Sequence, residues 1–282
     1  MLVMRYYQPD GITRLRPAGG ELADGTSSDE MWTRVLAGAR QEYLEKRPSN
    51  LTHLLESRYG WMNAYVAGKK DIVELGSGAG FCREFVTNPN LKLTDFIKHP
   101  WIDREVDALR TPFDDGSLDA VIMCHVLHHL ANPMQFFREM RRVLRPGGHV
   151  LIQELNSSIS MLAINRVLRH EGWNYGVDVF DDRAIVNNPR DPTSPNIAVP
   201  ELLFSDAGIF ERRVEGFRVV RNDLCEFLSF ALSGGVNAKT PTINLGPAML
   251  SRIDRVDRAL IGLLPSVFAL GRRVVLERPL GD

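Results

Sequence analysis

Glu74, Gly76, Ser77, Gly78 and Gly80 lie in the run Val73-Glu74-Leu75-Gly76-Ser77-Gly78-Ala79-Gly80. That run is the place in this sequence best suited to hold a ligand. Glycines at such spacing serve where backbone must approach a bound molecule or take up positive φ. Three chemistries compete for the turn. A triphosphate loop would end in Gly-Lys-Ser/Thr, which is absent. A dinucleotide turn wants a third small residue where Phe81 stands, and no carboxylate aimed at a pyrophosphate. Glu74 repels a diphosphate and suits a cation. A tight strand-to-helix turn without any ligand is the plain structural alternative.

A second group of reactive side chains lies at His125, His128 and His129. Histidine, with a pKa near 6.5, is the natural base for taking a proton from a hydroxyl near neutral pH. Adjacent histidines on one helix would not face the same way, so at most one of His128 and His129 is expected to be the base. The alternative is that these residues only line a cavity. The i, i+3, i+4 spacing of the three is compatible with a metal, but no further ligand set is evident, so no metal site is expected. Glu154 is the third catalytic candidate, to orient a histidine or bind an acceptor hydroxyl.

These residues need a scaffold, and the pattern from Lys70 onward provides one. Short apolar runs at Asp71–Leu75, Leu91–Phe96, Ala120–His125 and His149–Glu154 alternate with helical segments. That is the rhythm of a parallel α/β sheet. Leu144-Arg145-Pro146-Gly147-Gly148 is a sharp helix stop before the last of these runs. Phe217–Val220 and Arg272–Glu277 read as two late strands, Ser158–His170 and Glu201–Arg213 as helices. Ahead of the sheet, Ser27 and Glu30 form a capping box for a helix that Pro48 stops, and Ser49 caps a second.

The turn and its surroundings resemble the class I S-adenosylmethionine-dependent methyltransferases, whose first motif is acidic-x-Gly-x-Gly-x-Gly. S-adenosylmethionine carries a sulfonium and an ammonium and no phosphate. Three more elements carry the resemblance: Asp95 at the second strand's end; Asp107-Ala108-Leu109 with the following Thr111–Asp119 segment; and Phe136-Phe137-Arg138-Glu139-Met140 running into Arg145-Pro146-Gly147-Gly148. It is strong over residues 70–154 and loose at 201–220 and 272–279.

The resemblance implies a doubly wound, seven-stranded, mostly parallel sheet of order 3-2-1-4-5-7-6 with the last strand antiparallel. It implies that Asp95 accepts the ribose hydroxyls, and that Asp107 and the Ala108 N–H hold the adenine. Cys124 and His125 would line the cofactor, with His125 near the transferred methyl, and the acceptor would bind above strands four and five. Residues 1–69 are expected to form an arm and lid helices. Residues 70–282 would form the cofactor-binding domain, with insertions at 155–200 and 222–270. Trp173, Tyr175, Asp178, Phe180, Asp181 and Asp182 in the first insertion suit an acceptor bearing a ring, though each could equally pack the lid. The expected activity is methyl transfer to a small-molecule hydroxyl. Transfer to carbon or nitrogen, and cofactor binding without transfer, remain open.

Composition bounds the partners. The chain has 282 residues, 34 Lys plus Arg against 35 Asp plus Glu, and a net charge of −1. There is no global pull toward nucleic acid. Three unpaired-looking cysteines, Cys82, Cys124 and Cys225, fit a reducing compartment. With no secretory leader and no apolar run near the roughly 20 residues of a spanning helix, a cytoplasmic location is expected. The stripe Met249, Leu250, Ile253, Val256, Ala259, Leu260, Leu263 and Leu264, with Arg252, Arg255 and Arg258 between, reads as core or a homodimer surface. Shallow membrane contact is its weaker alternative.

Overall fold

The computed structural model describes residues 6–7, 28–168, 171–188, 195–236 and 240–281. Ser27, the first half of the expected capping box, and the end of the expected helix at 169–170 lie outside the described residues. The centre is a seven-stranded sheet. Its strands are β1 (Ile72–Leu75), β2 (Leu91–Asp95), β3 (Arg104–Glu105), β4 (Leu118–Cys124), β5 (Leu144–Leu155), β6 (Arg218–Cys225) and β7 (Gly271–Glu277). The spatial order is β3-β2-β1-β4-β5-β7-β6, the order the resemblance implies. β1 through β5 pair in parallel. β7 runs antiparallel to both of its neighbours. A separate two-residue ladder joins Tyr6–Tyr7 to Trp173–Asn174.

The central strands are covered on both faces, which is why they read as continuous apolar runs. Alternate residues go to opposite faces. Val73, Leu75, Val121 and Met123 join one core cluster with Phe136, Phe137 and Met140. Those three belong to a helix, Pro133–Val143, whose start is capped by Asn132 accepting from the Gln135 N–H at 2.7 Å. Ile72, Ala120 and Ile122 join the opposite cluster with Leu36, Tyr43, Leu51, Leu55 and Tyr59. These last five come from α1 (Ser28–Lys46) and α2 (Ser49–Tyr59). The segment expected as an arm and lid therefore supplies a packed layer of the core. Ser49 opens α2 without capping it: Pro48 holds the N-cap position and no side chain closes the first turn.

Two further departures have plain causes. The expected helix 201–213 breaks into Val199–Phe204 and Ala207–Arg213, because Asp206 takes extended backbone and caps the second piece through the Ile209 N–H. β6 runs on to Cys225, beyond the expected Val220, so the second insertion begins later. Its main helix, Pro247–Leu263, buries Leu250, Ile253 and Ile261. Asp257 on the same helix is also buried and caps the short helix Leu228–Ala231 through the N–H groups of Phe227, Leu228 and Ser229. Met249, Val256 and Leu263 of the expected stripe are exposed. No described helix is long and apolar enough to cross a membrane.

Candidate active site

The turn after β1 is held in left-handed backbone at three glycines, with φ of +70° at Gly76, +50° at Gly78 and +71° at Gly80. Its N–H groups are tied to the neighbouring strand tip. Ser77 N donates to Thr94 O at 2.9 Å, and Gly78 N donates to Asp95 Oδ2 at 2.8 Å. A Cβ on Gly76 would meet Val126 Cγ2 at 2.5 Å, while one on Gly78 would meet nothing within 4 Å. Gly76→Ala is therefore expected to lose about 1–3 kcal/mol in a urea melt, from backbone strain and overpacking together. Adding Val126→Ala should restore the packing part and leave the strain. Equal stability of Gly76→Ala and wild type would refute this.

Glu74 projects from β1 to the face covered by α2 and is fully buried. Neither carboxylate oxygen makes a well-formed hydrogen bond among the described residues. Burial pushes its pKa up to about 7; the nearby Ser77 and Tyr59 hydroxyls oppose the shift without cancelling it. A buried carboxylate without partners is costly unless something positive joins it.

The other residues expected on the cofactor side are Asp95, Asp107 and Ala108. Asp95, at the end of β2, spends Oδ2 on Gly78 and Oδ1 on the Ile97 N–H at 3.1 Å. Each oxygen keeps one further acceptor site. Asp107 is exposed and accepts from the Leu109 N–H at 2.8 Å; Ala108 beside it is buried. Two residues the sequence did not mark also reach the turn. Trp101 Nε1 donates to Gly78 O at 2.8 Å. Arg40 of α1 donates to Ala79 O at 2.9 Å and Gly80 O at 3.2 Å. No motif announces either.

Cys124 and His125, expected to line the cofactor, and the catalytic candidates His128 and His129 follow one another at the end of β4. Cys124 ends the strand, and burial pushes its thiol up to about 12. His125 follows with φ of +58° and donates its N–H to Gln153 O at 2.8 Å. Burial drives its ring well below the usual value, so the imidazole stays neutral. Leu127–His129 is a single 3₁₀ turn, so the helical spacing of the three histidines is not realised. The tighter turn instead puts the His128 and His129 rings side by side, with centroids 4.2 Å apart. The expectation that they diverge is corrected by that geometry.

Glu154, at the end of β5, organises this turn. Its Oε1 accepts from the Leu127 N–H at 2.6 Å, and its Oε2 from His128 Nδ1 at 2.6 Å and the Leu155 N–H at 3.0 Å. His128 Nε2 points toward Glu171 Oε1, 3.8 Å away. Burial works against a charge on His128, but the Glu154 and Glu171 carboxylates outweigh it and raise the ring to about 10. Glu171 lies in the first insertion, 43 residues along from His128, and nothing in the sequence singles it out. The insertion is also tied down by backbone: Asn196 N and Asn187 Nδ2 both donate to His128 O at 2.8 Å.

The aromatic and acidic residues expected in the lid have partners inside the protein. Trp173 is buried in a cluster with Leu155, Met161 and Ile197. The Tyr175 hydroxyl donates to Glu201, and Phe180 lies under the Arg213 guanidinium. Asp178 faces Arg213 at 3.7 Å, Asp182 pairs with Arg138, and Asp181 accepts from the Arg183 N–H.

A glycine turn leaving the central strand of this sheet, with Asp95 at the tip of the next strand, belongs to a Rossmann-like domain. Residues 74–152 of the chain match the family described as "Methyltransferase domain". Among curated proteins, the chain is 34% identical over 137 residues to the polyketide synthase-nonribosomal peptide synthetase TwmB of Talaromyces wortmannii. That match takes in 45% of this chain and 4% of that protein. It is 43% identical over 56 residues to a demethylmenaquinone methyltransferase of Mycobacterium tuberculosis (strain ATCC 25618 / H37Rv), over 20% of this chain and 24% of that one. The chain thus spans no more than about a quarter of either curated relative. A solved methyltransferase structure from Archaeoglobus fulgidus aligns over 84% of this chain and 97% of its own, at 18% identity and a TM-score of 0.48.

Proposed function

We propose that the protein transfers the methyl group of S-adenosylmethionine to a hydroxyl oxygen of a small-molecule acceptor. The observation that carries the reading is Glu74, a fully buried carboxylate with no well-formed hydrogen bond among the described residues, at the root of the glycine turn. The ammonium of the methionine moiety is the partner it lacks. Gly76, Ser77, Gly78 and Gly80 then cradle that moiety, Asp95 takes the ribose, and Asp107 with Ala108 takes the adenine. Cys124 and His125 flank the methyl-bearing sulfur.

In the transfer, an oxygen lone pair forms the new bond to the methyl carbon. The carbon–sulfur electrons stay on sulfur, giving the neutral thioether of S-adenosylhomocysteine. The hydroxyl proton passes to His129, with the His128–Glu154 pair positioned beside it. Most of the rate comes from alignment and exclusion of water. All three cysteines are free thiols, which supports a reducing, cytoplasmic setting.

A second reading is transfer to a quinone-type carbon, supported by the likeness to demethylmenaquinone methyltransferase over 56 residues. Incubation with methyl-labelled cofactor and a panel of hydroxyl, quinol and amine acceptors separates the two. S-adenosylhomocysteine release with label on oxygen is the expected result. Label only on carbon or nitrogen overturns the oxygen assignment. A folded protein that binds neither cofactor nor product in a calorimetric titration overturns the whole reading. His129→Ala should lower kcat by about 10²–10⁴ while leaving cofactor affinity unchanged; wild-type turnover would remove His129 from the chemistry.

A further inference from the structure

His128, His129 and Glu171 each offer one ligand atom, and those atoms lie within 4.8 Å of one another. An ion bonded at about 2.1 Å to each ligand holds its ligand atoms roughly 3–4 Å apart. The 3.8 Å between His128 Nε2 and Glu171 Oε1 already meets that spacing. His128 is 1% exposed, and its Nε2 has no hydrogen-bond partner among the described residues. The other ring nitrogen, Nδ1, is held by Glu154 at 2.6 Å. A carboxylate fixing one nitrogen so that the other faces outward is the arrangement that orients metal-binding histidines. Glu154 is in turn fixed by the Leu127 and Leu155 N–H groups. The 3₁₀ turn contributes the second imidazole from the very next residue.

We propose that His128, His129 and Glu171 form a binding site for one divalent transition-metal ion, with Glu154 as the positioning residue behind His128. Two imidazoles and a carboxylate are borderline donors, suited to Zn²⁺, Co²⁺ or Mn²⁺ rather than to Mg²⁺ or Ca²⁺. Three protein ligands leave open positions on the ion. In the reading given above, those positions would take acceptor oxygen, and an acceptor with two adjacent oxygens would fit best. The ion would lower the pKa of a bound hydroxyl so that its proton leaves to solvent, and His129 would serve as a ligand in place of the base. The substrate part of the inference rests on that reading; the metal site does not. His125 is left out of the set. Its place is taken by Glu171, which the first insertion brings over the turn.

The test uses tag-free, full-length protein. Calorimetric titration with Zn²⁺, and the visible spectrum with Co²⁺, should both show one ion per chain. Glu171→Gln and His129→Gln should each weaken Zn²⁺ binding by at least about tenfold, with an unchanged thermal melt of the metal-free protein. His53→Gln, which removes a histidine paired with Asp254 far along the chain, should bind as wild type does. A folded wild-type protein that takes up no Zn²⁺ overturns the proposal, and so does equal affinity in wild type and Glu171→Gln. S-adenosylhomocysteine titrated into the same samples keeps the two readings apart. Product binding without metal binding sinks only the metal site, and metal binding without product binding sinks only the methyl-transfer reading.

Discussion

Arg58→Ala is expected to cost about 3–5 kcal/mol of folding stability, the scale for removing one member of a buried ion pair. Arg58 reaches Glu226 with both Nε and Nη2, at 2.7 to 3.1 Å. Their side chains are 8% and 2% exposed. Burial alone would lower the guanidinium's pKa, but Glu226 more than offsets it and raises it. Gln153 Nε2 adds a third donor to the carboxylate at 3.0 Å. The pair fastens α2 to the segment after β6, behind the tip of β4, so its loss leaves a charge in the core with one neutral partner. Urea denaturation of Arg58→Ala, Glu226→Gln and the double variant measures the coupling. The double variant should be more stable than Arg58→Ala, because it no longer buries a lone carboxylate. A single-variant loss under about 1 kcal/mol would mean that water reaches Glu226 and the pair is not a clamp.

Arg58 also marks what could be read from the sequence and what could not. It sits in line with Leu51, Leu54, Leu55 and Tyr59, on the buried stripe of α2. A lone charge on an apolar stripe is a legible sign of a buried partner, although it does not say that the partner is 168 residues away. The central strands were legible because burial on both faces makes them apolar runs, and their punctuation is chemical: three glycines after β1 and Arg-Pro-Gly-Gly early in β5. β3 was not, since its two residues, Arg104 and Glu105, are exposed and gain strand character only by pairing with Thr94 and Asp95. The tail of β6 was missed for a related reason. Arg221, Asn222 and Asp223 lie on an edge strand, where polar side chains are the rule. The histidine turn was legible as residues but not as geometry. Helical periodicity separates His128 from His129, whereas the 3₁₀ turn brings their rings together. Glu171, Arg40 and Trp101 reach the site from distant loops and helices, and no spacing encodes that.

Glu74→Gln is expected to move stability and cofactor affinity in opposite directions. The carboxyl's pKa stands at about 7, against an ordinary value of 4.5. The protonated form is thus the one the free fold prefers. Its contribution is fully present below pH 4.5 and is lost as pH rises through 7, about 3 kcal/mol in all. Glutamine keeps the shape and stays neutral. The cofactor-free variant should match wild type near pH 4.5 and exceed it by about 3 kcal/mol above pH 7. Cofactor affinity goes the other way. The ammonium needs the anion, and loss of a charged hydrogen bond of about 1.5–3 kcal/mol weakens binding roughly ten- to hundredfold. Wild type must ionise Glu74 to bind, so its affinity at pH 6 should be about tenfold lower than at pH 8; the variant should show no such slope. A carboxylate with a purely structural role would predict a less stable variant and no change in affinity. Chemical denaturation and calorimetric titration of S-adenosylhomocysteine, each across that pH range, therefore give opposite answers for the two roles, and an unstable Glu74→Gln that still binds tightly would remove Glu74 from the cofactor site.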